Sequence, residues 1–424
     1  MKLLPKSLLI KSIITIPAII LIAVFTTISI EKYGKLFDLF GLLAKERLLN
    51  YPFAIFVITP LFFWISAFIC RKYSSKAAGN SIEHFQDSLE IAKKSNDFHK
   101  LKDLLGLKLI IIKAISSLLC VFGGGALGKE GPSVHMSAGI FAVFANKIKK
   151  FLPNIDFTTW IISGSAVGMA VAFHAPISGF TFAAEKMIKM KISNFLNKIY
   201  FVLIAVITVI VLLYPYQSIF LKNYVKIGFS EIYYSIVTTI VCAVIAFFFT
   251  KINKYFYHKI TSIKSKYWHL IPILGGILVA IISFYCGIYS FGGGIYTVDA
   301  ALNSEVLLSY KEVFGRILNT IISFISGCAG GLIAPAIVIG AGIGSVIHSL
   351  LTNISIDLVL LIGITAFLAA ILREPLTAVM IVFETGNQHL SHIIPLFLIA
   401  ITALWTVKIM EVLYKKSLQI IKES

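Results

Sequence analysis

The stretch GKEGPSVH, Gly128 to His135, sets one carboxylate, Glu130, between two glycines in otherwise apolar surroundings. Pro132 suits the first turn of a helix, where its missing N–H would be unpaired in any case. A helix starting here presents free N–H groups and the positive end of its dipole, which hold an anion without a full positive charge. Glu130 is itself an anion at that place. Ionised, it competes with a bound anion; protonated, it leaves, so the expected device is a plug whose position follows pH. A second stretch, GCAGGLIAPA from Gly327 to Ala336, repeats the arrangement: Gly330 and Gly331 permit tight turns and Pro335 opens a helix. Two helix N-termini are therefore expected to converge on one anion. The alternative role for Glu130 is a structural ion pair with Lys129 or Arg316, but ionisable side chains at membrane depth mark function by default.

The elements around these residues are written for lipid. Of 424 residues, 58% are hydrophobic and 14% charged, and mean hydropathy is +0.90, too little polar surface to cover a water-soluble globule of this size. Apolar runs recur along the whole chain, from Leu8–Ile28 and Tyr51–Ile69 to Leu358–Leu372 and His392–Ile409. Several reach the ~20 residues that a bilayer demands and many fall short. Short apolar segments broken by Gly and Pro imply helices that stop at membrane depth, which is tolerated where the freed backbone faces protein or a water-filled cavity. The first run follows Lys2 and Lys6, but it is long and lacks a small-residue cleavage site, so it reads as a retained span. The net charge of +18 comes from linkers such as Arg71–Lys76, Lys93–Lys102, Lys186–Lys198, Lys251–Lys266 and the tail after Tyr414. Positive-inside bias places those linkers and the short C-terminal tail in the cytoplasm. No polar domain exists to carry a nucleic-acid surface. Cys70, Cys120, Cys242, Cys286 and Cys328 are scattered without metal-ligand spacing and read as packing residues.

An internal repeat organises the chain. GSAVGMAVAFHAPISGFTFAAE, Gly164 to Glu185, aligns without a gap to GITAFLAAILREPLTAVMIVFE, Gly363 to Glu384, with Gly, Ala, Pro and Glu in shared columns. Pro132 and Pro335 precede the two copies in the same order. Repeated halves, here roughly 30–215 and 228–415 of one transmembrane domain, are a transporter architecture whose substrate site lies between the halves. An intramembrane protease is the rival from another class, yet no HExxH is present and Ser165 has no nameable base, so the chain does not read as an enzyme.

GKEGP, the two repeat blocks, GGGIYTVDAAL from Gly292 to Leu302 and GRILNTIISFISGCAGGLIAP from Gly315 to Pro335 together resemble the CLC family of chloride channels and proton-coupled chloride exchangers. The ordered match runs from about Ala77 to Tyr414. The resemblance implies an all-α polytopic fold, an inverted repeat of tilted, partly spanning helices, and an anion pathway in each subunit of a homodimer in the plasma (inner) membrane. It also implies bound chloride and no cofactor. Glu130 matches the family's external gating glutamate. Backbone amides at Gly131, Leu332 and Ile333 match its anion-coordinating positions, and Tyr414 matches the tyrosine whose hydroxyl donates to the central anion, a neutral donor that does not trap the ion.

The chain departs from the family at three places. In AAGNSIEHFQDSL, Asn80 stands where the family's GSGIP loop has its coordinating serine and Ser81 follows one place later. Asparagine there resembles the fluoride-exporting branch, whereas Pro132 keeps the chloride-type frame; the alternative is that Ser81 serves after a one-residue adjustment. Lys186 occupies the position of the exchangers' internal proton-transfer glutamate, one residue after Glu185, which puts proton coupling in doubt. A charged Lys186 reaching toward cytoplasmic water is expected. His174 replaces the asparagine of the usual NAP-like turn and reads as structural. The candidate proton path is thus Glu130, Glu185 and Lys186. Anion transport, with chloride first, weak coupling second and a passive channel or a fluoride/proton antiporter as alternatives, is the function implied.

Overall fold

A computed structural model describes residues 6–150, 155–213, 232–261, 266–294, 307–351, 355–386 and 388–423. Residues 295–302 of the GGGIYTVDAAL motif lie outside them. The apolar runs all become helix. The first half holds α1 (Lys6–Asn50), α2 (Ile55–Tyr73), α3 (Ser81–Lys94), α4 (Phe98–Leu105), α5 (Leu107–Phe122), α6 (Glu130–Ile148), α7 (Phe157–Phe173), α8 (Pro176–Lys189) and α9 (Phe195–Leu213). The second holds α10 (Ile232–Thr261), α11 (Leu270–Cys286), α12 (Tyr310–Ile325), α13 (Ile333–Leu350), α14 (Ile356–Leu372), α15 (Pro375–Thr385) and α16 (Ile393–Glu423). Among the described residues, seven stretches of helix are long and apolar enough to cross a bilayer, while the stretches Phe157–Phe173, Lys198–Leu213, Ile356–Leu372 and Pro375–Thr385 are shorter. Full and partial spans are therefore mixed, as the broken apolar runs imply. The first run does not stop at Ile28: its helix continues through charged residues to Asn50, and at ~1.5 Å per residue α1 is far longer than a bilayer is thick.

The duplication is visible in contacts. Every residue of α7 is buried, and α7 packs along α6 through Gly164, where an added Cβ would stand 2.7 Å from Ser137 O. In the second half α14 packs along α13 at the matching place, where a Cβ on Gly340 would stand 2.5 Å from Gly363 O. Backbones this close leave room for no side chain. Both copies end in a left-handed residue before the shared proline, His174 (φ 50°) and Arg373 (φ 61°), followed by Pro176 opening α8 and Pro375 opening α15.

The last column of the repeat then closes on itself. Glu185, late in α8, accepts from Leu376 N (2.8 Å), Thr377 N (2.8 Å) and Thr377 Oγ1 (2.6 Å) at the start of α15. Glu384, late in α15, accepts from Ile177 N (2.9 Å) and Ser178 N (2.6 Å) at the start of α8. Each carboxylate satisfies orphan N–H groups of the other half, so α8 and α15 run antiparallel about the repeat axis. Glu185 is a reciprocal cap, held by those three donors.

Candidate functional site

Three loops that each open a helix are stitched together at the centre. The two-residue strands β1 (Gly79–Asn80) and β2 (Ala329–Gly330) pair in parallel, and Gly128 exchanges two 2.9 Å backbone hydrogen bonds with Gly331. The starts of α3, α6 and α13 are thereby held against one another, three N-termini where the sequence promised two. The glycines act by close approach more than by turning: a Cβ on Gly131 would stand 2.7 Å from Gly331 Cα, and the residue with positive φ in the second loop is Gly327 (84°), not Gly330 or Gly331. Pro132 and Pro335 each fall in the first turn of their helices.

Glu130 is the first residue of α6 and is buried; its Oε2 accepts from Ala334 N at 3.3 Å, in the first turn of α13. A carboxylate therefore occupies the N-terminus of the partner repeat's helix, a place suited to an anion. Neither structural ion pair forms. Lys129 turns to Asp38 on α1 (2.5 Å), and the buried Arg316 guanidinium donates from Nη1 to Gly292 O (2.6 Å). A narrow cleft of about 10 Å³ lined by Asp38, Lys129, Glu130 and Ala334 lies on this side of the carboxylate, about the space of one water molecule.

A larger cavity of about 310 Å³ lies on the other side, and Asn80, Leu332 and Ile333 line it together. Its mouth carries Lys189, Lys251, Lys254 and Arg373 against Glu83 and Glu411, an excess of cations that favours anion entry. Asn80 Oδ1 accepts from Ile82 N (3.2 Å), capping α3, which leaves its amide N–H groups as donors. Ser81 does not take the coordinating place. Its hydroxyl donates to Gly330 O (3.0 Å) and receives Lys113 Nζ (3.1 Å), so it braces the loops from behind.

Tyr414 is not among the residues lining this cavity; Val407 and Glu411, earlier on the same helix, are. Because α16 runs unbroken to Glu423, position 414 lies behind two of the lining residues: the ring is 40% exposed, packs edge-on against Phe247 and lies under Lys251 Nζ at 5.2 Å. The expected hydroxyl donor to the central anion is corrected accordingly. Tyr414→Phe is expected to change anion affinity by less than the roughly fivefold that loss of a neutral hydrogen bond would bring, as read by calorimetry.

Lys186 is likewise displaced from its expected role. It does not reach for water: it is 2% exposed and its Nζ lies 2.7 Å from Glu374 Oε1, itself 1% exposed, at the start of α15. Lys189, half-exposed, stands 3.5 Å from the same oxygen.

The profile of the family described as voltage gated chloride channel matches residues 62–408. The chain belongs to that family. CLC relatives include the H(+)/Cl(-) exchange transporter ClcA of Vibrio vulnificus (strain YJ016), 25% identical over 377 residues covering 82% of this chain and 75% of the relative. ClcA of Citrobacter koseri is 24% identical over 379 residues, covering 85% and 76%. Among solved structures, a slow cyanobacterial Cl-/H+ antiporter superposes with a TM-score of 0.73 at 19% identity, covering 99% of both chains. A CLC-type fluoride/proton antiporter gives 0.73 at 18% identity, covering 95% of this chain and 96% of that one. The fold is the CLC inverted repeat in a multi-pass integral membrane protein, and anion transport follows from family membership.

Several buried or paired residues around these loops escaped the sequence reading. Lys113, alone in the apolar run LIIIKAISSL, is fully buried against Ser81 and 3.4 Å from His84 Nδ1, and the His84 ring lies 6.1 Å from that of buried His135. A lysine inside such a run is itself a signal of function. Asp38 and Glu374 carry no comparable local signal, since their partners come from distant segments.

Proposed function

We propose that this chain conducts chloride across the membrane through a pathway closed on one side by Glu130, with protons only weakly coupled. The observation that carries the reading is the Glu130 carboxylate on the Ala334 N–H, at the N-terminus of the opposite repeat's helix. An anion arriving there competes for the same donors, and protonation of Glu130 removes its claim on them. Leu332 and Ile333 open α13 at the inner cavity, and Asn80 adds an amide donor. Gly131 at the start of α6 completes the set of backbone donors in this reading.

Weak coupling follows from Lys186 and Glu374. A proton relay needs an inner group that gains and loses a proton near neutral pH. Here the position carries a lysine paired with the buried Glu374 in place of a carboxylate, and Glu185 is spent on capping α15. We place the Lys-rich linkers and the C-terminal tail in the cytoplasm of a plasma (inner) membrane and expect a homodimer with one pathway per subunit.

Fluoride is the second reading, favoured by Asn80 alone. Fluoride holds its water more tightly than chloride, so a site of few donors rejects it, and one added amide offsets only part of that cost. Chloride is expected to move faster than fluoride in the same vesicles; fluoride moving at least as fast would transfer the chain to the fluoride reading. Simultaneous recording of chloride and proton flux in one reconstituted sample, under an imposed chloride gradient, tests the rest. Chloride release with little proton movement is expected, whereas a fixed ratio of uphill protons would overturn the weak coupling and absence of anion flux would overturn the function.

A further inference from the structure

A cavity of about 580 Å³ lies away from the anion pathway, between the end of α2, the turn after it and the junction of α4 with α5. Five cationic side chains line it, Arg71, Lys72, Lys76, Lys102 and Lys108, against one carboxylate, Asp103, which lies 3.5 Å from Lys76 with both side chains exposed. Two of the cations are held in place over aromatic rings, Arg71 on Trp268 at 4.8 Å and Lys72 on Phe68 and Tyr73 at 5.3 Å each. Leu109 and Val143 form a buried floor. Gly106 ends α4 and precedes α5, so the first turn of the 16-residue α5, with its unpaired N–H groups and positive dipole, also faces the cavity.

All five cations are exposed, and they line one concavity with an apolar floor and a helix N-terminus, the chemistry of a phosphate site. The source of the phosphate is indicated by what leaves the rim. Leu107, Ile111 and Ile115 are exposed at 53%, 56% and 42% and are spaced four residues apart, one apolar stripe descending α5 from the cavity into membrane depth. We propose that this cavity binds the headgroup of an anionic phospholipid, with an acyl chain laid along the α5 stripe. The formal excess of cations favours a headgroup with two negative charges over one with a single charge, and a basic pocket at the ends of spanning helices suits such a lipid.

Cardiolipin and phosphatidylcholine, added to purified protein in detergent and counted by native mass spectrometry, test the site. Wild-type protein should retain cardiolipin in preference to phosphatidylcholine. The triple variant Lys76→Gln, Lys102→Gln, Lys108→Gln should bind it about tenfold more weakly or worse, while its chloride flux in vesicles, read as a check on folding, stays at the wild-type level. Ile111→Gln should weaken cardiolipin retention with the cations intact. Cardiolipin retention unchanged in the triple variant overturns the site. Displacement of cardiolipin by millimolar inorganic phosphate, with Ile111→Gln without effect, overturns the lipid in favour of a soluble anion.

Discussion

Glu130→Gln is expected to remove most of the pH dependence of anion flux and to stop whatever proton movement the wild-type protein supports. Glutamine preserves size and can still accept from Ala334 N, so α6 and α13 stay joined through that contact and through the Gly128–Gly331 bridge. What it loses is the ability to change charge. In the wild-type protein an ionised Glu130 competes with the permeating anion, and acidification releases the site; a neutral amide competes weakly at every pH. Flux in Glu130→Gln should therefore lie near the wild-type acid limit and stay flat as pH rises. Lys129 makes its ion pair with Asp38 and not with Glu130, so the carboxylate itself is the group that the substitution alters. Glu130→Ala, which removes the side chain altogether, should share the flat profile. A pH profile that survives intact in both variants would make Glu130 a structural residue and remove the gate from the pathway.

The gate was legible in sequence because every part of it is local: a carboxylate, two glycines and a proline within five residues, flanked by apolar runs. The repeat was legible for a similar reason, since the same proline, glycine and glutamate columns recur, and the reciprocal caps of Glu185 and Glu384 are the physical reason that its last column is glutamate in both copies. Pairings across the fold were not legible. Asn80 and Ser81 are adjacent in sequence, and only the β1–β2 pairing turns one to the cavity and the other to Gly330 and Lys113. Tyr414 matched a motif by position, but helical continuity of α16 decides where its hydroxyl goes, and no residue near 414 announces that. Glu374 occupies the column that holds Ala175 in the first copy, so the repeat itself concealed a charge that is present in one half alone.

That unmatched charge sets the second large effect. Lys186→Glu by itself would press two carboxylates together at almost fully buried positions, since Glu374 lies 2.7 Å from the present ammonium. Breaking a buried pair in this way costs about 3–5 kcal/mol, so the single variant is expected to express poorly or to unfold on extraction, and its flux would report little about protons. The reversed pair, Lys186→Glu with Glu374→Lys, keeps one ammonium against one carboxylate and should restore the folded yield. Lys189 is half-exposed beside the ammonium that the second substitution introduces, and it can swing into the cavity of about 410 Å³ that it lines with Lys186, which relieves the like-charge contact. The carboxylate would then sit on α8, at the position that the family's exchangers use for the inner proton. Proton movement driven by a chloride gradient should rise by at least about tenfold over wild type, a modest share of what a positioned proton-transfer group contributes. Chloride flux should change far less, because the cavity lined by Asn80, Leu332 and Ile333 is not altered. A reversed pair that folds and moves chloride, yet passes protons no faster than wild type, would show that the charge at position 186 does not limit coupling. The barrier would then lie nearer Glu130, with buried Lys113 behind Ser81 the first side chain to replace.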